Sequence, residues 1–293
     1  MKDISKMLIA YDGSACSDAA LNDLRRSGLP TLIEAVVVTV ADIIVPPPDD
    51  ELPADEAPAI RIREVEKHAQ AHAEKALKEA RAFAERAVKR VKADFPSWEV
   101  RAEVDCDSPA WAVIKMADRL EADLIVVGSH RHSVVGGRLI LGSVSQKVLY
   151  EARCSVRVAR CSDERREGPV RIIVGFNGSA GAEAAVEAVT ARSWPKGSEA
   201  RIIIAHDALK PEAQAVAAEK LRASGLTTSE VSRDGDPAHV LIREAEEWSA
   251  DSIFVGTRDV HGFQHLLHGS ISSAVAARAQ CSVEVVRPPR DAA

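Results

Sequence analysis

"LILGSVSQKVLYEARCSVRVAR", Leu139 to Arg160, aligns without a gap to "LLHGSISSAVAARAQCSVEVVR", Leu266 to Arg287, at an offset of 127 residues. Each copy runs from a Gly-Ser step into an amphipathic stretch and then a Val-rich run ending in arginine. That is the order of a helix followed by a buried strand. The repeat continues upstream, where "EADLIVVGSHR" (121–131) matches "SADSIFVGTRD" (249–259) at an offset of 128 and "AYDGSACSDAAL" (10–21) matches "GFNGSAGAEAAV" (175–186) at 165. The change of offset from 165 to 128 removes 37 residues from the middle of the second copy. The chain is a duplication with one shortened half.

Within the first copy, "KMLIAY" reads as a strand, "SACSDAALNDLRRSG" as a helix closed by Gly28, and "TLIEAVVVTVADI" as a buried β-branched strand. The proline- and acid-rich "VPPPDDELPADEAP" is a loop, and an Ala/Glu/Lys/Arg-rich helix follows from about residue 60 to 91. "WEVRAEV", "PAWAVIKMADRLEA", "DLIVVG", "SVSQKVLYEA" and "CSVRVAR" complete an alternating order. The second copy keeps it with a shorter helix, "PEAQAVAAEKLRASG". Strands separated by helices predict an α/β chain of two tandem domains, each a five-stranded parallel open sheet with helices on both faces. The expected domains are 1–161 and 169–288, joined by the polar "SDERREGP".

Composition narrows the function. The net charge of −6, with no long basic block, argues against nucleic acid as a partner. No apolar run is long enough for a signal-peptide core or a membrane span, so a cytoplasmic protein without membrane contact is expected. The five cysteines are odd in number and scattered, which predicts reduced, mostly buried thiols rather than a disulfide framework or a thiolate metal site.

In an open parallel sheet, ligands bind beyond the carboxyl ends of the strands where strand order reverses. "YDG" and "VGSHR" both end strands and fall on that rim. Gly128 and the Gly142-Ser143 step before a helix carrying Val144 offer free backbone N–H groups and a positive dipole end to an anion. His130, Arg131, His132 and Arg138 add cations nearby. The plain alternative is a turn at Gly128 and a helix cap at Gly142-Ser143. "DSP" and "GDP" read as caps, with Ser108 or Asp236 at the N-cap and proline at the first helical position. His261, His265 and His268 share one face if helical, but no carboxylate or cysteine completes a set, so no metal site is expected.

The first-strand "AYDGS", "DSPAWAVI" with "GDPAHVLI", "ADLIVVGSHR" and "LILGSVSQKV" followed by "CSVRV" together resemble the universal stress protein family in tandem form, over nearly the whole chain. The resemblance implies an adenine-nucleotide-hydrolase-like fold, wide dimerisation, and a family of both ATP-binding and non-binding members. It places the family's first-strand aspartate on Asp12, its adenine-contact valine on Val40, its first glycine on Gly128 and its Gly-Ser on Gly142 and Ser143. With Gly13, His130, Arg131 and Val144 these are the candidate cofactor-binding residues. Arg131 stands where the family has a middle glycine, and the loop is one residue longer than the family spacing. In the second copy Asn177 replaces the aspartate, Asp207 the valine and Asp259 the middle glycine, while Gly256, Gly269 and Ser270 remain.

These substitutions predict one ATP or related adenine nucleotide, with or without Mg²⁺, in the first domain, and a degenerate second site. A non-binding interaction module is the alternative, and a slow ATPase the third reading. No Ser-His-Asp arrangement, Walker lysine or carboxylate pair supports catalysis, so no catalytic residue is assigned. The last strands "CSVRV" and "CSVEV" are expected to form a dimer-like contact, between the halves or between two chains.

Overall fold

The computed structural model describes residues 4–41, 43, 58–129, 141–160, 167–205, 211–257 and 271–288, with the side chains of 58–66 and 211 excepted. The first half comprises β1 (Lys6–Ala10), α1 (Ala15–Asp23) continued by a 3₁₀ turn (Leu24–Arg26), β2 (Glu34–Val40), α2 (Pro58–Asp94), β3 (Glu99–Asp105), α3 (Pro109–Leu120), β4 (Leu124–Gly128), α4 (Ser143–Glu151) and β5 (Ser155–Ala159). The second comprises β6 (Arg171–Gly175), α5 (Ala180–Thr190), β7 (Glu199–Ala205), α6 (Pro211–Ala223), β8 (Thr227–Arg233), α7 (Pro237–Trp248), β9 (Ser252–Gly256), α8 (Ile271–Arg278) and β10 (Ser282–Val286).

The strands form one ten-stranded sheet in the order β3-β2-β1-β4-β5-β10-β9-β6-β7-β8. Every pairing is parallel except the central one, where β5 and β10 run antiparallel. Each half is therefore the expected five-stranded parallel sheet with the same strand order, and the two join through their last strands. Buried on both faces, the strands need apolar residues at consecutive positions. Ala35 to Val38 on β2 and Leu124 to Val127 on β4 supply them. On one face a single core passes under the join, from Ile125, Val127 and Val158 to Ile253 and Val283. On the other face each half has its own core, between β-strands and α1–α2 or α5–α6.

The repeats also share their irregular positions. α3 and α7 both end on a residue other than glycine with φ 53°, Glu121 and Ser249, and the following Ala122 and Ala250 N–H groups donate back to Ala117 and Ala245. Asp236 caps α7 as expected, accepting from His239 N at 2.9 Å with proline next. Ser108 occupies the same place before α3, but its hydroxyl makes no capping bond. Instead Asp107 Oδ1 accepts from Ser108 N at 2.7 Å, and Asp107 also pairs with Lys115.

The main difference between the halves is α2. Its 37 residues exceed the expected span of about 60 to 91 at both ends, and its helical rise gives a length of about 55 Å. A seven-residue strand covers only about 23 Å. The carboxyl-terminal part packs on the sheet through Ala80, Ala84, Ala87 and Val91, so the amino-terminal part extends past the carboxyl rim of the first half. No helix among the described residues is long and apolar enough to cross a membrane.

Candidate functional site

In the first half, β1 leads outward to β2 and β3, whereas β4 leads inward to β5, so strand order reverses between β1 and β4. A crevice opens at the carboxyl ends of such a pair. Asp12 and Gly13 follow β1, Val40 ends β2, Gly128 ends β4, and Gly142, Ser143 and Val144 begin α4. Seven of the nine sequence-selected residues thus share one rim. His130 and Arg131 lie outside the described residues, as do Asp207, Asp259, Gly269, Ser270 and the three histidines of "HGFQHLLH".

Asp12 is exposed, and its Oδ1 accepts from Ser14 N at 2.9 Å. Partial burial pushes its carboxyl upward, but hydrogen bonds from Ser14 and Ser17 outweigh it and hold the group below the usual carboxylate value. The turn needs Gly13, at φ +78°, and a side chain there would also meet the Phe83 ring at 3.1 Å. Ser14 then caps α1 by accepting from Ser17 N at 3.2 Å.

Gly128 is required by close approach. A Cβ there would lie 2.6 Å from the Cys16 carbonyl oxygen, so α1 can press its first turn on the end of β4 only against glycine. The Gly128 carbonyl accepts from Ser145 Oγ at 2.7 Å, tying the strand end to the first turn of α4. The N-cap of α4 is Gly142, which has no side chain to offer, and the Gly142 carbonyl accepts from Gln146 N at 2.9 Å. The N–H groups of Ser143, Val144 and Ser145 therefore have no acceptor within the helix. Ser143 is exposed, and an anion placed there would meet these donors and the positive end of the dipole.

The second half builds the same turn without a carboxylate. Asn177 Oδ1 accepts from Ser179 N at 3.1 Å, Gly178 takes φ +71°, and Ser179 accepts from Ala182 N at 3.3 Å. Its crevice floor is tighter. Gly181 stands where the first half has Cys16, and a Cβ on Gly256 would fall 1.9 Å from the Gly181 oxygen. A Cβ on Gly181 would in turn fall 2.0 Å from Thr257 O.

Sequence reasoning did not find what braces the first site. Arg86 Nη2 on α2 donates to Tyr11 Oη at 2.8 Å, Tyr11 Oη donates to Asp18 at 2.7 Å, and Arg90 Nη1 donates to the same Asp18 oxygen at 3.0 Å. Arg86 also sits over the Phe83 ring, 5.3 Å from its centroid. The i, i+4 spacings of Arg86 with Arg90 and of Asp18 with Asn22 were the available signal. Two cavities of about 470 and 410 Å³ lie elsewhere, at the join between the halves. One is bordered by Asp123, Cys154 and Ser155, and the other by their repeat counterparts Asp251, Cys281 and Ser282. Among the described residues no cluster of ligands could hold a metal ion.

An open parallel α/β sheet with a crevice at a strand-order reversal, present twice, defines a doubly wound α/β architecture in tandem. The sequence profile of the Universal stress protein family matches residues 4–160 and 184–287, and the chain belongs to that family. Universal stress protein Rv2005c of Mycobacterium tuberculosis is 27% identical over 308 residues, covering 96% of each chain. The crystal structure of a universal stress protein from Archaeoglobus fulgidus superposes with a TM-score of 0.67 at 23% identity, over 96% of this chain and 98% of that one. A family member from Arabidopsis thaliana, 16% identical with a TM-score of 0.33 over 42% of this chain and 95% of that one, has been solved with AMP bound.

Proposed function

We propose that the chain is a tandem, cytoplasmic stress-response protein that holds one adenine nucleotide, ATP with or without Mg²⁺, on the rim of the first domain. The second domain serves as its structural partner, and the domains span 1–161 and 169–288. One contrast carries this reading: the first rim presents the ionised Asp12 and the first N–H groups of α4, which have no acceptor within the helix, whereas the second rim has neutral Asn177 over a tighter backbone floor. A carboxylate can accept from ribose hydroxyls or hold Mg²⁺, and the α4 donors and dipole suit phosphate. In the sequence, Asp207 and Asp259 stand at the second-copy positions that the family resemblance gives to the adenine-contact valine and the middle glycine, and a carboxylate at either disfavours a base or a phosphate.

The test is native mass spectrometry of the freshly purified chain, followed by Mg-ATP titration of the parent chain and of Ser143→Trp and Ser270→Trp. One nucleotide per chain, lost only in Ser143→Trp, supports the reading. Loss only in Ser270→Trp reverses the assignment of the two sites. Absence of binding in the parent chain leaves the interaction module as the function, a reading favoured by one observation: Asn177 makes the Asp12 turn without a charge.

A further inference from the structure

β5 and β10 pair with Val156 opposite Val285, Arg157 opposite Glu284 and Val158 opposite Val283. Arg157 and Glu284 are repeat counterparts, 127 residues apart. The pseudo-twofold axis relating the halves therefore runs between these two side chains. A position on such an axis is special, because two identical strands in this register would oppose it to its own copy.

Much of the join keeps that symmetry. Arg160 N donates to Ser282 Oγ at 3.1 Å, and its counterpart Arg287 N donates to Ser155 Oγ at 3.1 Å. The centre does not. Arg157 and Glu284 are 0% and 1% exposed, with Arg157 Nη1 3.4 Å from Glu284 Oε2. Arg157 is also held by Asp23 through Nε at 2.5 Å and Nη2 at 3.1 Å. Glu284 is bonded by Arg192, which donates across the join to Ser27 O at 2.7 Å, and Ser282 Oγ donates to Asp23 at 2.7 Å. The counterparts of these clamps are Ala188 for Asp23 and Ser27 for Arg192. Six positions in three equivalent pairs have thus diverged together into two cations and two carboxylates, spread over both halves.

We propose that the Arg157–Glu284 pair selects the partner of each half, so that β5 accepts an edge with an acid at the axis and rejects a second β5. The edge of either half fits only the complementary half, and the join is closed to symmetric pairing between two copies of the chain. Two arginines, or two glutamates, opposed on the axis would each keep the partner of their own half, Asp23 or Arg192, but would face a like charge instead of the opposite one across a desolvated join. Burial works against the Arg157 cation, but Asp23 and Glu284 outweigh it and raise its pKa, so the charge persists.

Full-length Arg157→Glu, Glu284→Arg and the double variant test this. Each single variant leaves three like charges against one at the centre, and its melting temperature should fall by about 10 °C or more. The double variant restores opposite charges across the axis while leaving like charges at 157 and Asp23 and at 284 and Arg192, so its loss should be smaller than the sum of the singles; a loss equal to that sum overturns the proposal. Partner choice is read by co-refolding the two single variants and weighing the products by native mass spectrometry. A 1:1 dimer, in which the acid-bearing edges of the Arg157→Glu chain take the arginine-bearing edges of the Glu284→Arg chain, is expected even if neither variant folds alone. Recovery of no mixed dimer overturns the proposal.

Discussion

Arg287, at the end of β10 in the second half, donates from Nη2 to the Leu149 carbonyl at 2.9 Å, in the last turn of the helix whose first residue is Ser143. Its counterpart Arg160 donates to Ala276 O in α8. The two halves thus exchange cations at the carboxyl ends of each other's last helices, where a positive charge complements the dipole. The second half holds one end of the helix whose other end faces the proposed nucleotide.

Arg287→Ala should therefore weaken adenine-nucleotide binding several-fold while destabilising the chain by about 1.5 to 3 kcal/mol, the value of a charged hydrogen bond. Arg160→Ala removes the equivalent bond from α8 and should cost similar stability without changing affinity. Calorimetric titration of both variants, beside their thermal melts, checks the contrast. Equal affinities would confine Arg287 to holding the join.

Asp12→Asn separates charge from turn formation, because Asn177 makes the same turn in the second half. The variant should fold normally and lose about 10- to 100-fold in nucleotide affinity, as expected for an interaction worth about 1.5 to 3 kcal/mol. Against the upward push of partial burial, hydrogen bonds from Ser14 and Ser17 hold the Asp12 carboxyl below its ordinary value in the folded chain. Its contribution to stability is thus fully present above the unfolded value and is lost as pH falls through the lower folded one. Affinity should accordingly stay level from pH 7 down to about 5, and a decline centred near pH 6 would assign the binding charge to another group.

How the chain reports its fold follows from the same residues. β4 and β9 are legible because consecutive apolar positions bounded by Asp123 or Asp251 and a glycine admit little but a buried strand. The shared rim of Asp12, Val40, Gly128 and Ser143 is legible because strand order places carboxyl ends together. The Arg157–Asp23–Glu284–Arg192 centre is not, since a lone arginine in "CSVRV" reads as a solvent-facing residue of an alternating strand. Only the antiparallel register brings it opposite Glu284, and registers between distant strands are not written locally. Ser108 is the N-cap residue of α3 as expected, but its hydroxyl makes no capping bond, and sequence type alone does not fix that geometry.

Gly128→Ala and Gly256→Ala test the close approach of helix to strand end. The added methyl would stand 2.6 Å from Cys16 O in the first case and 1.9 Å from Gly181 O in the second, both backbone atoms that cannot swing aside. Overpacking of this kind costs about 1 to 3 kcal/mol. Gly256→Ala should be the more destabilising in chemical denaturation. If Gly128→Ala proved the worse, the floor of the first crevice would be the tighter of the two, and the proposed assignment of sites would lose its geometric support.

The cysteines give a reporter of the join that needs no ligand. Cys154 and Cys281 immediately precede β5 and β10 and border the two cavities there, and burial pushes both thiols up to about 12. Cys106 is exposed in the turn between β3 and α3. Alkylation requires the thiolate, so at pH 8 Cys154 and Cys281 should have about a thousandth of the thiolate of an ordinary cysteine. Peptide mapping after brief iodoacetamide treatment of the native chain should find Cys106 labelled and these two protected, with all three labelled once the chain is unfolded. Arg157→Glu, which loads the centre of the join with like charge, should speed labelling of Cys154 and Cys281 together and leave Cys106 unchanged. Rapid labelling of Cys154 in the parent chain would mean that the join opens in the native state on the time scale of the reaction.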